Sequence, residues 1–302
     1  MLRGEELHRK YNGVMTPVLM PFNEDKSLDY DALEKFIDWQ CQQNVNILFP
    51  MGGSSEYQEL KLEERKKIID LIVRVNGGRK LVFAGTGAPT LQETIELCRY
   101  AEEHGADGVG VVIPTNIADE EDAIFDYFKA VSKAISLPFM VYDPRGEGNH
   151  TATPSLMRRM VDAFENLVAI KYRTVNGENM GFMAKEIAAD ISVFSGAETV
   201  YLQDLSLGCV GCVGGGANFY PDLMLSLQRK FESGDIAGAR QVQYDILDAI
   251  AVLERVYWPL SGKVVLQELG FPYKLVTRVP ARPYTDDDVQ AIRSYYNKIL
   301  KK

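Results

Sequence analysis

Histidine and cysteine are scarce in this sequence, which has three histidines and four cysteines in 302 residues. The histidines are scattered, so a zinc site built on imidazole ligands is not expected. Cys209 and Cys212 form a C-x-x-C pair, but it lies in the glycine-rich run CVGCVGG and no second pair accompanies it. We therefore predict no metal ion and no organic cofactor.

The sequence also lacks a long apolar run. No stretch approaches the length that a membrane-spanning helix needs, and the charged N-terminus MLRGEELHRKYNG has no apolar core of a signal peptide. The formal net charge of −9 argues against nucleic acid or an anionic membrane as a partner. We predict a cytoplasmic protein whose ligand is a small molecule, and a few local cations or dipoles would suffice to bind an anion.

Short apolar segments alternate with helical patterns along the first two thirds of the chain. Each is almost continuously apolar, as in a parallel sheet that is covered on both faces, and eight such units close a (β/α)8 barrel. An open doubly wound sheet would show a phosphate or dinucleotide fingerprint after an early strand, but the turn here is FNEDKSLD. We predict an α/β protein, with a TIM barrel over 12–220 and a C-terminal helical region over 221–302. The predicted strands are 13–22, 46–52, 81–87, 108–114, 138–143, 167–173, 192–198 and 209–215.

Active sites in such barrels lie at the carboxyl ends of the strands and in the loops that follow them. Lys171 lies near the end of the sixth predicted strand, on the less apolar of its two faces, and burying an ammonium without a partner is costly. A desolvated lysine can lose its proton and attack a ketone, whereas a lysine paired with Glu198 or Asp143 would be structural. Tyr142 ends the neighbouring fifth strand, so its hydroxyl could transfer protons in the same cavity or be a satisfied strand residue.

The turn after the second strand reads Gly52-Gly53-Ser54-Ser55-Glu56. Small residues there let backbone N–H groups converge on an anion, with the serine hydroxyls as further donors, although N-capping of the next helix would explain them equally well. Further candidates for substrate contacts lie at other strand ends. They are Asn116 after the fourth strand, Arg145 after the fifth, Arg173 after the sixth, and Gly196 and Glu198 after the seventh.

Taken together, these motifs resemble the dihydrodipicolinate synthase/N-acetylneuraminate lyase family of class I pyruvate-dependent lyases, over nearly the whole chain. The family's G-x-x-G-E carboxylate motif matches residues 52–56, its strand-five tyrosine matches Tyr142 in YDP, and its Schiff-base lysine matches Lys171 in AIKYR. The family's glycine at the end of the seventh strand matches Gly196. The resemblance implies that Lys171 and Tyr142 are catalytic, that Gly53, Ser54 and Ser55 hold a substrate carboxylate, and that the protein is a homotetramer or homodimer.

The chain departs from the family pattern at several of these positions. Ser55 replaces the second glycine of the motif, and the paired tyrosines that synthases carry after the fourth strand are replaced by Pro114-Thr115-Asn116. Arg145 follows Tyr142 closely, and Tyr172 and Arg173 follow the lysine. Lys171 and Tyr142 are present, but the paired tyrosines that complete a proton relay in synthases are absent. The resemblance therefore implies a different family reaction from dihydrodipicolinate synthesis.

We predict a lyase that forms a Schiff base with a 2-oxo acid, for aldol cleavage or condensation with pyruvate or for dehydration of a sugar-derived 2-oxo-3-deoxy acid. Arg145 or Arg173 would hold a second anionic or hydroxylated end of the substrate. One alternative is a barrel that binds a 2-oxo acid as a sensor without turning it over. Another is a phosphate-binding barrel, suggested by the run GCVGGGAN after the eighth strand.

Overall fold

The computed structural model describes residues 3–300 and contains eight parallel strands that close into one barrel in the order β1 to β8. The predicted (β/α)8 fold is confirmed, and each observed strand lies inside a predicted segment. The strands are β1 Gly13–Pro17, β2 Ile47–Phe49, β3 Leu81–Gly85, β4 Gly108–Val112, β5 Phe139–Asp143, β6 Leu167–Tyr172, β7 Ser192–Ser195 and β8 Gly211–Cys212.

Helices follow the strands and cover the barrel from outside. The predicted capping box closes as expected, because Thr90 Oγ1 accepts from the Glu93 amide at 3.1 Å while the Glu93 carboxylate accepts from Thr90. The described helices in the first two thirds of the chain are α1 Gly4–Lys10, α2 Tyr30–Gln42, α3 Leu62–Asn76, α4 Leu91–Glu103, α5 Glu121–Ala134, α6 Pro154–Ala163, α7 Gly177–Ile187 and α8 Tyr201–Ser206. Within the described range, no helix is long and apolar enough to cross a membrane.

The last third of the chain is helical, as predicted. It comprises α9 Pro221–Glu232, α10 Ile236–Leu253, α11 Leu260–Glu268, α12 Asp286–Tyr295 and a π-helical turn Tyr296–Leu300. Along α10 the side chains of Val242, Ile246 and Leu253 are buried, which gives the helix the apolar face that its sequence indicates. The division between barrel and helical region at residue 220 stays a prediction.

The inside of the barrel is packed with side chains. Residues from different strands, among them Met15, Phe49, Phe83, Met140 and Phe194, form one buried cluster, so the barrel is a core and has no open channel. The opposite faces of the strands pack against the helices in a second, larger cluster. The polar groups that could do chemistry therefore lie at the carboxyl ends of the strands.

Candidate active site

Lys171 and Tyr142 lie side by side at the carboxyl end of the barrel. The register of the β5–β6 pair places them opposite each other, and the Lys171 Nζ atom lies 4.2 Å from the centroid of the Tyr142 ring. The ring of Phe49 from β2 lies 5.6 Å from the same Nζ and packs edge-on against Tyr142. Sequence reasoning placed both polar side chains in one cavity, and the structure brings them together.

The Lys171 amine is buried without a counter-ion. Only 5% of the residue is exposed, and among residues 3–300 its Nζ has neither an ion-pair partner nor a hydrogen bond. Burial lowers the pKa of Lys171 to about 7, from the ordinary value of 10.5. About half of the amines are then unprotonated at neutral pH, roughly a thousandfold more than for an exposed lysine. An unprotonated amine of this kind can attack a ketone.

The two carboxylates considered as structural partners of Lys171 are bound elsewhere. Asp143 accepts four hydrogen bonds from the loop after β5, including those of the Arg145 and Gly146 amides at 2.9 and 3.0 Å. Glu198 accepts the amide of Gly216 at 3.0 Å. The alternative of a lysine held in a structural ion pair does not describe Lys171.

The Tyr142 hydroxyl is held in its protonated form. Burial raises the pKa of Tyr142 to about 12, with the neighbouring Tyr57 phenol adding to the effect. The phenol is therefore protonated throughout the physiological range. Its oxygen would lie 3.4 Å from a Cβ atom built on Gly53, which places the hydroxyl directly beside the 52–56 turn.

The 52–56 turn offers unused donors beside this hydroxyl. Gly53–Ser55 form one turn of 3-10 helix after β2, in which the amides of Ser55 and Glu56 are bonded to carbonyls. Among the described residues, the amides of Gly53 and Ser54 and the buried Ser54 hydroxyl donate to no protein group. Neighbouring amides and a hydroxyl without protein acceptors can bind a carboxylate.

The Ser55 hydroxyl is used within the protein. It donates to the Val18 carbonyl at 2.5 Å and accepts from the Met51 amide at 2.8 Å, so it braces the turn against the chain after β1. Of the three predicted carboxylate-binding residues, Gly53 and Ser54 have donors without a protein acceptor among the described residues. Ser55 instead stabilises the turn through its hydroxyl.

Glu56 is a supporting residue that sequence reasoning named only as part of a motif. It adopts a left-handed conformation, with φ of 54°, and pairs with Lys263 of α11 at 3.1 Å, with both side chains almost fully buried. Its second carboxylate oxygen accepts from the Thr277 hydroxyl at 2.5 Å and the Arg278 amide at 2.7 Å. These bonds hold the strained residue in place and tie the 52–56 turn to the C-terminal region. No sequence pattern indicated this partnership, because the partners are more than 200 residues apart.

The three other polar candidates on the same side of the barrel differ in their environment. The Arg145 guanidinium donates to the carbonyls of His150 and Ile113, which fastens the loop after β5. Asn116 donates to the Pro89 carbonyl at 2.6 Å, and Arg173 is exposed at the end of β6. Within residues 3–300, none of the three forms a hydrogen bond with Lys171 or Tyr142.

Gly196 and Glu198 follow β7. A Cβ atom on Gly196 would come within 2.8 Å of the Arg173 backbone, so only glycine allows β6 and β7 to approach here. Desolvation raises the pKa of the Glu198 carboxyl to about 7, against the opposing hydrogen bonds from Gly216 and Tyr220. Glu198 is therefore partly protonated near neutral pH.

The glycine-rich loop after β8 is closely packed. Cβ atoms on Gly214, Gly215 and Gly216 would collide with Glu198, Trp258 and Tyr220 respectively. The Gly216 amide, which a phosphate would need, already donates to the Glu198 carboxylate. These contacts favour close packing as the reason for the glycines. In residues 3–300 no cluster of three or more His, Cys, Asp or Glu side chains could hold a metal ion.

A family model, curated relatives and solved structures all place this chain in the same family. The model of the Dihydrodipicolinate synthetase family matches residues 10–299. A 4-hydroxy-tetrahydrodipicolinate synthase from Thermus thermophilus is 31% identical over 287 residues, 94% of each chain. Among solved structures, YagE of Escherichia coli K12, a member of the dihydrodipicolinic acid synthase family determined in complex with pyruvate, is 25% identical with a TM-score of 0.86 over 96% of this chain and 99% of YagE. A monomeric dihydrodipicolinate synthase variant is 24% identical, with a TM-score of 0.87 over 98% of this chain and 99% of that protein.

Proposed function

This chain belongs to the dihydrodipicolinate synthetase family of class I Schiff-base lyases, and we propose that Lys171 is its Schiff-base nucleophile toward a 2-oxo acid. The observation that carries the proposal is the buried amine of Lys171, which has no counter-ion among the described residues and a pKa of about 7. A pure binding protein would gain nothing from such an amine, since an unpaired buried lysine weakens the fold.

The chemistry follows from the positions of the groups. The Nζ atom attacks the keto carbon of the substrate, and Tyr142 gives a proton to the carbinolamine oxygen, which leaves as water. The resulting iminium ion accepts an electron pair from C3. Either loss of a C3 proton or cleavage of the C3–C4 bond then gives an enamine. The free amides of Gly53 and Ser54 and the Ser54 hydroxyl hold the carboxylate and orient the keto carbon toward Lys171.

We further propose an aldol reaction with pyruvate or the dehydration of a sugar-derived 2-oxo-3-deoxy acid. The pyruvate complex of YagE supports a 2-oxo acid as the ligand. Synthesis of 4-hydroxy-tetrahydrodipicolinate is the second candidate, favoured by the name of the Thermus relative. Against it, Pro114-Thr115-Asn116 occupies the place where synthases carry relay tyrosines.

Oligomeric state varies within the family, which includes a monomeric variant. For this chain a homotetramer or homodimer remains our proposal, and the cytoplasm our proposed location. Gly196 and Glu198 are proposed to line the substrate site beside β7. Asn116 and Arg145 are proposed to contact the end of the substrate that lies away from Lys171.

Borohydride reduction in the presence of pyruvate, followed by peptide mass mapping, tests the central step. The expected result is one stable adduct, on the peptide that carries Lys171. Absence of an adduct with pyruvate and with every other 2-oxo acid tried, or an adduct on a different lysine, would overturn the proposal. A panel of 2-oxo acids, assayed for released pyruvate and for dehydrated product, then separates aldolase from dehydratase.

A further inference from the structure

Trp258 lies between the end of β8 and the C-terminal helices, and its six-membered ring fits between two glycines. A Cβ atom on Gly215, in the loop after β8, would lie 2.8 Å from the ring carbons Cη2 and Cζ2. A Cβ atom on Gly262 of α11 would lie 2.9 Å from the ring carbon Cζ3. A side chain at either glycine would displace the ring, so both glycines make room for an indole at this place.

The glycine that the indole contacts lies on the inward side of β8. Val213, two residues before Gly215, belongs to the cluster inside the barrel, and side chains alternate along an extended chain. Across the sheet, Lys171 pairs with Phe194 of β7, and Phe194 pairs with Gly211 of β8. Two strand spacings of about 4.8 Å place β8 about 10 Å from the Lys171 backbone. The indole is therefore within reach of a carbon chain that begins at Lys171.

The indole also carries a donor that the protein does not use. Trp258 is half-buried, and among the described residues its Nε1–H donates to no protein acceptor, although the nitrogen is accessible. The two glycines and the ring of Phe219, whose centroid lies 6.4 Å away, restrict the orientation of the indole. An indole at the edge of a site can cover apolar CH groups with its ring and donate from its N–H to an oxygen.

The side of the barrel mouth below the indole is lined by glycines. The donors of Gly53 and Ser54 follow β2, and Lys171 ends β6, on the opposite side of the closed barrel. A substrate held between them has β7, β8 and β1 along one side. The chain there carries Gly196 after β7 and Gly214–Gly216 after β8, which contribute no side chains. The substrate carbons beyond C3 therefore have space toward Trp258.

We propose that Trp258 is a specificity-determining residue, whose indole covers the carbon chain of the 2-oxo acid beyond C3 and whose N–H donates to a hydroxyl on that chain. The proposal rests on the proposed function and narrows its substrates to 2-oxo acids that carry a hydroxyl group at C4 or beyond. Asn116 and Arg145 follow β4 and β5 across the mouth, so they would approach the same chain from the other side.

The test compares 4-hydroxy-2-oxopentanoate with 2-oxopentanoate, which differs only in lacking the hydroxyl. Binding is measured in Lys171→Ala, because that variant forms no Schiff base and consumes neither acid. The chain has two tryptophans, so Lys171→Ala/Trp39→Phe leaves Trp258 as the only one. The hydroxylated acid is expected to change the emission of Trp258 and to bind about 3- to 10-fold more tightly, the range for one neutral hydrogen bond.

Trp258→Phe keeps an aromatic ring and removes the N–H. In the Lys171→Ala background it should reduce the preference to less than twofold by calorimetry, with the affinity for pyruvate unchanged. Trp39→Phe is the matched control, because Trp39 stacks on Phe36 in α2, and it should leave the preference intact. A tryptophan with only a structural role would lower the melting temperature when replaced and leave the ratio of the two affinities unchanged.

Equal affinities for the two acids, a preference that survives in Trp258→Phe, or an emission of Trp258 that is unaltered at saturation would overturn the proposal. If Trp258→Phe fails to fold, the two-acid comparison and the emission of Trp258 decide. Borohydride trapping of the wild-type protein separates this proposal from the proposed function. A pyruvate adduct on Lys171 without a preference for the hydroxylated acid refutes only the role of Trp258. A preference without any adduct supports that role and refutes the Schiff base.

Discussion

Two buried lysines lie on this side of the barrel, and they have opposite surroundings. Lys171 at the end of β6 faces the rings of Tyr142 and Phe49 and pairs with no carboxylate among the described residues. Lys263 in α11 is fully buried, pairs with Glu56 at 3.1 Å and donates to the Val276 carbonyl at 2.6 Å. The amine of Lys171 has no charged partner among the described residues, whereas the amine of Lys263 stabilises the fold through an ion pair and a hydrogen bond.

The difference shows how a buried charge affects stability with and without an ion-pair partner. Burial lowers the pKa of both lysines, but for Lys263 the attraction of Glu56 opposes the shift. A paired charge becomes indispensable once it is buried, because removing one partner leaves the other uncompensated. An unpaired amine destabilises the fold, and we propose that Lys171 is retained for its chemistry. Substitutions at the two positions should therefore have opposite effects on activity and stability.

The largest effect is expected for Lys171→Met. Loss of the nucleophile should lower turnover by about 10⁴-fold or more and abolish the borohydride adduct. Stability should stay the same or rise, because methionine fills similar volume without a desolvated amine. Steady-state kinetics and thermal melting measure the two quantities. A variant that unfolds several degrees earlier than the wild type would contradict the view of Lys171 as a reactive, unsupported amine.

Lys263→Met should show the reverse pattern. It leaves Glu56 buried with only its neutral donors, so the free energy of unfolding should fall by about 3–5 kcal/mol. The pyruvate adduct should still form on Lys171 in the protein that remains folded. Denaturant titration measures the loss, and Glu56→Gln/Lys263→Met should recover part of it because no charge is then left unpaired. Loss of the adduct in a stably folded Lys263→Met protein would show that Lys263 is also needed for the reaction of Lys171, against the prediction.

The sequence predicted one of these lysines and missed the other, for a physical reason. Lys171 interrupts an apolar strand, where a charge is conspicuous, and strand order alone brings it beside Tyr142. Lys263 lies in LSGKVVLQE, where a lysine in a helix raises no suspicion, and its partner is 207 residues away. The eight strands were likewise predictable from local pattern, whereas the burial of Arg65 in α3 depends on its bonds to the carbonyls of Gly85 and Gly87 around the end of β3. Local patterns predicted the barrel and pointed to Lys171, whereas tertiary packing decides which buried charges have partners.

A third test concerns the neighbour of the reactive lysine. Tyr142→Phe keeps the ring that packs on Lys171 but removes the proton donor, so turnover should fall about 10²-fold while the adduct on Lys171 still forms, more slowly. Tyr172→Phe is the control, because the Tyr172 hydroxyl bonds to the Gly146 carbonyl on the other face of β6. Turnover of Tyr142→Phe within threefold of wild type would mean that the phenol only shapes the site.

The smallest effect is the pH dependence that distinguishes the free amine from a paired one. Since the pKa of Lys171 is about 7 in the folded protein, adduct formation should rise tenfold per pH unit below pH 7 and level off above it. Stability should also respond. Between pH 7 and the unfolded value near 10.5 the unfolded chain binds the proton and the folded chain does not, so the destabilisation is complete below pH 7 and is relieved as pH rises.

Melting curves of wild type and Lys171→Met between pH 6 and 9 isolate this contribution, because the range stays below the pKa of about 12 of Tyr142. The wild type should gain stability relative to Lys171→Met as pH rises through this range. Both proteins keep the Lys263–Glu56 pair, so its titration cancels in the difference. A difference in stability that does not vary with pH would mean that Lys171 is charged in the folded protein. Lys171 would then not differ from Lys263 in its protonation state, and the comparison of the two lysines would be wrong.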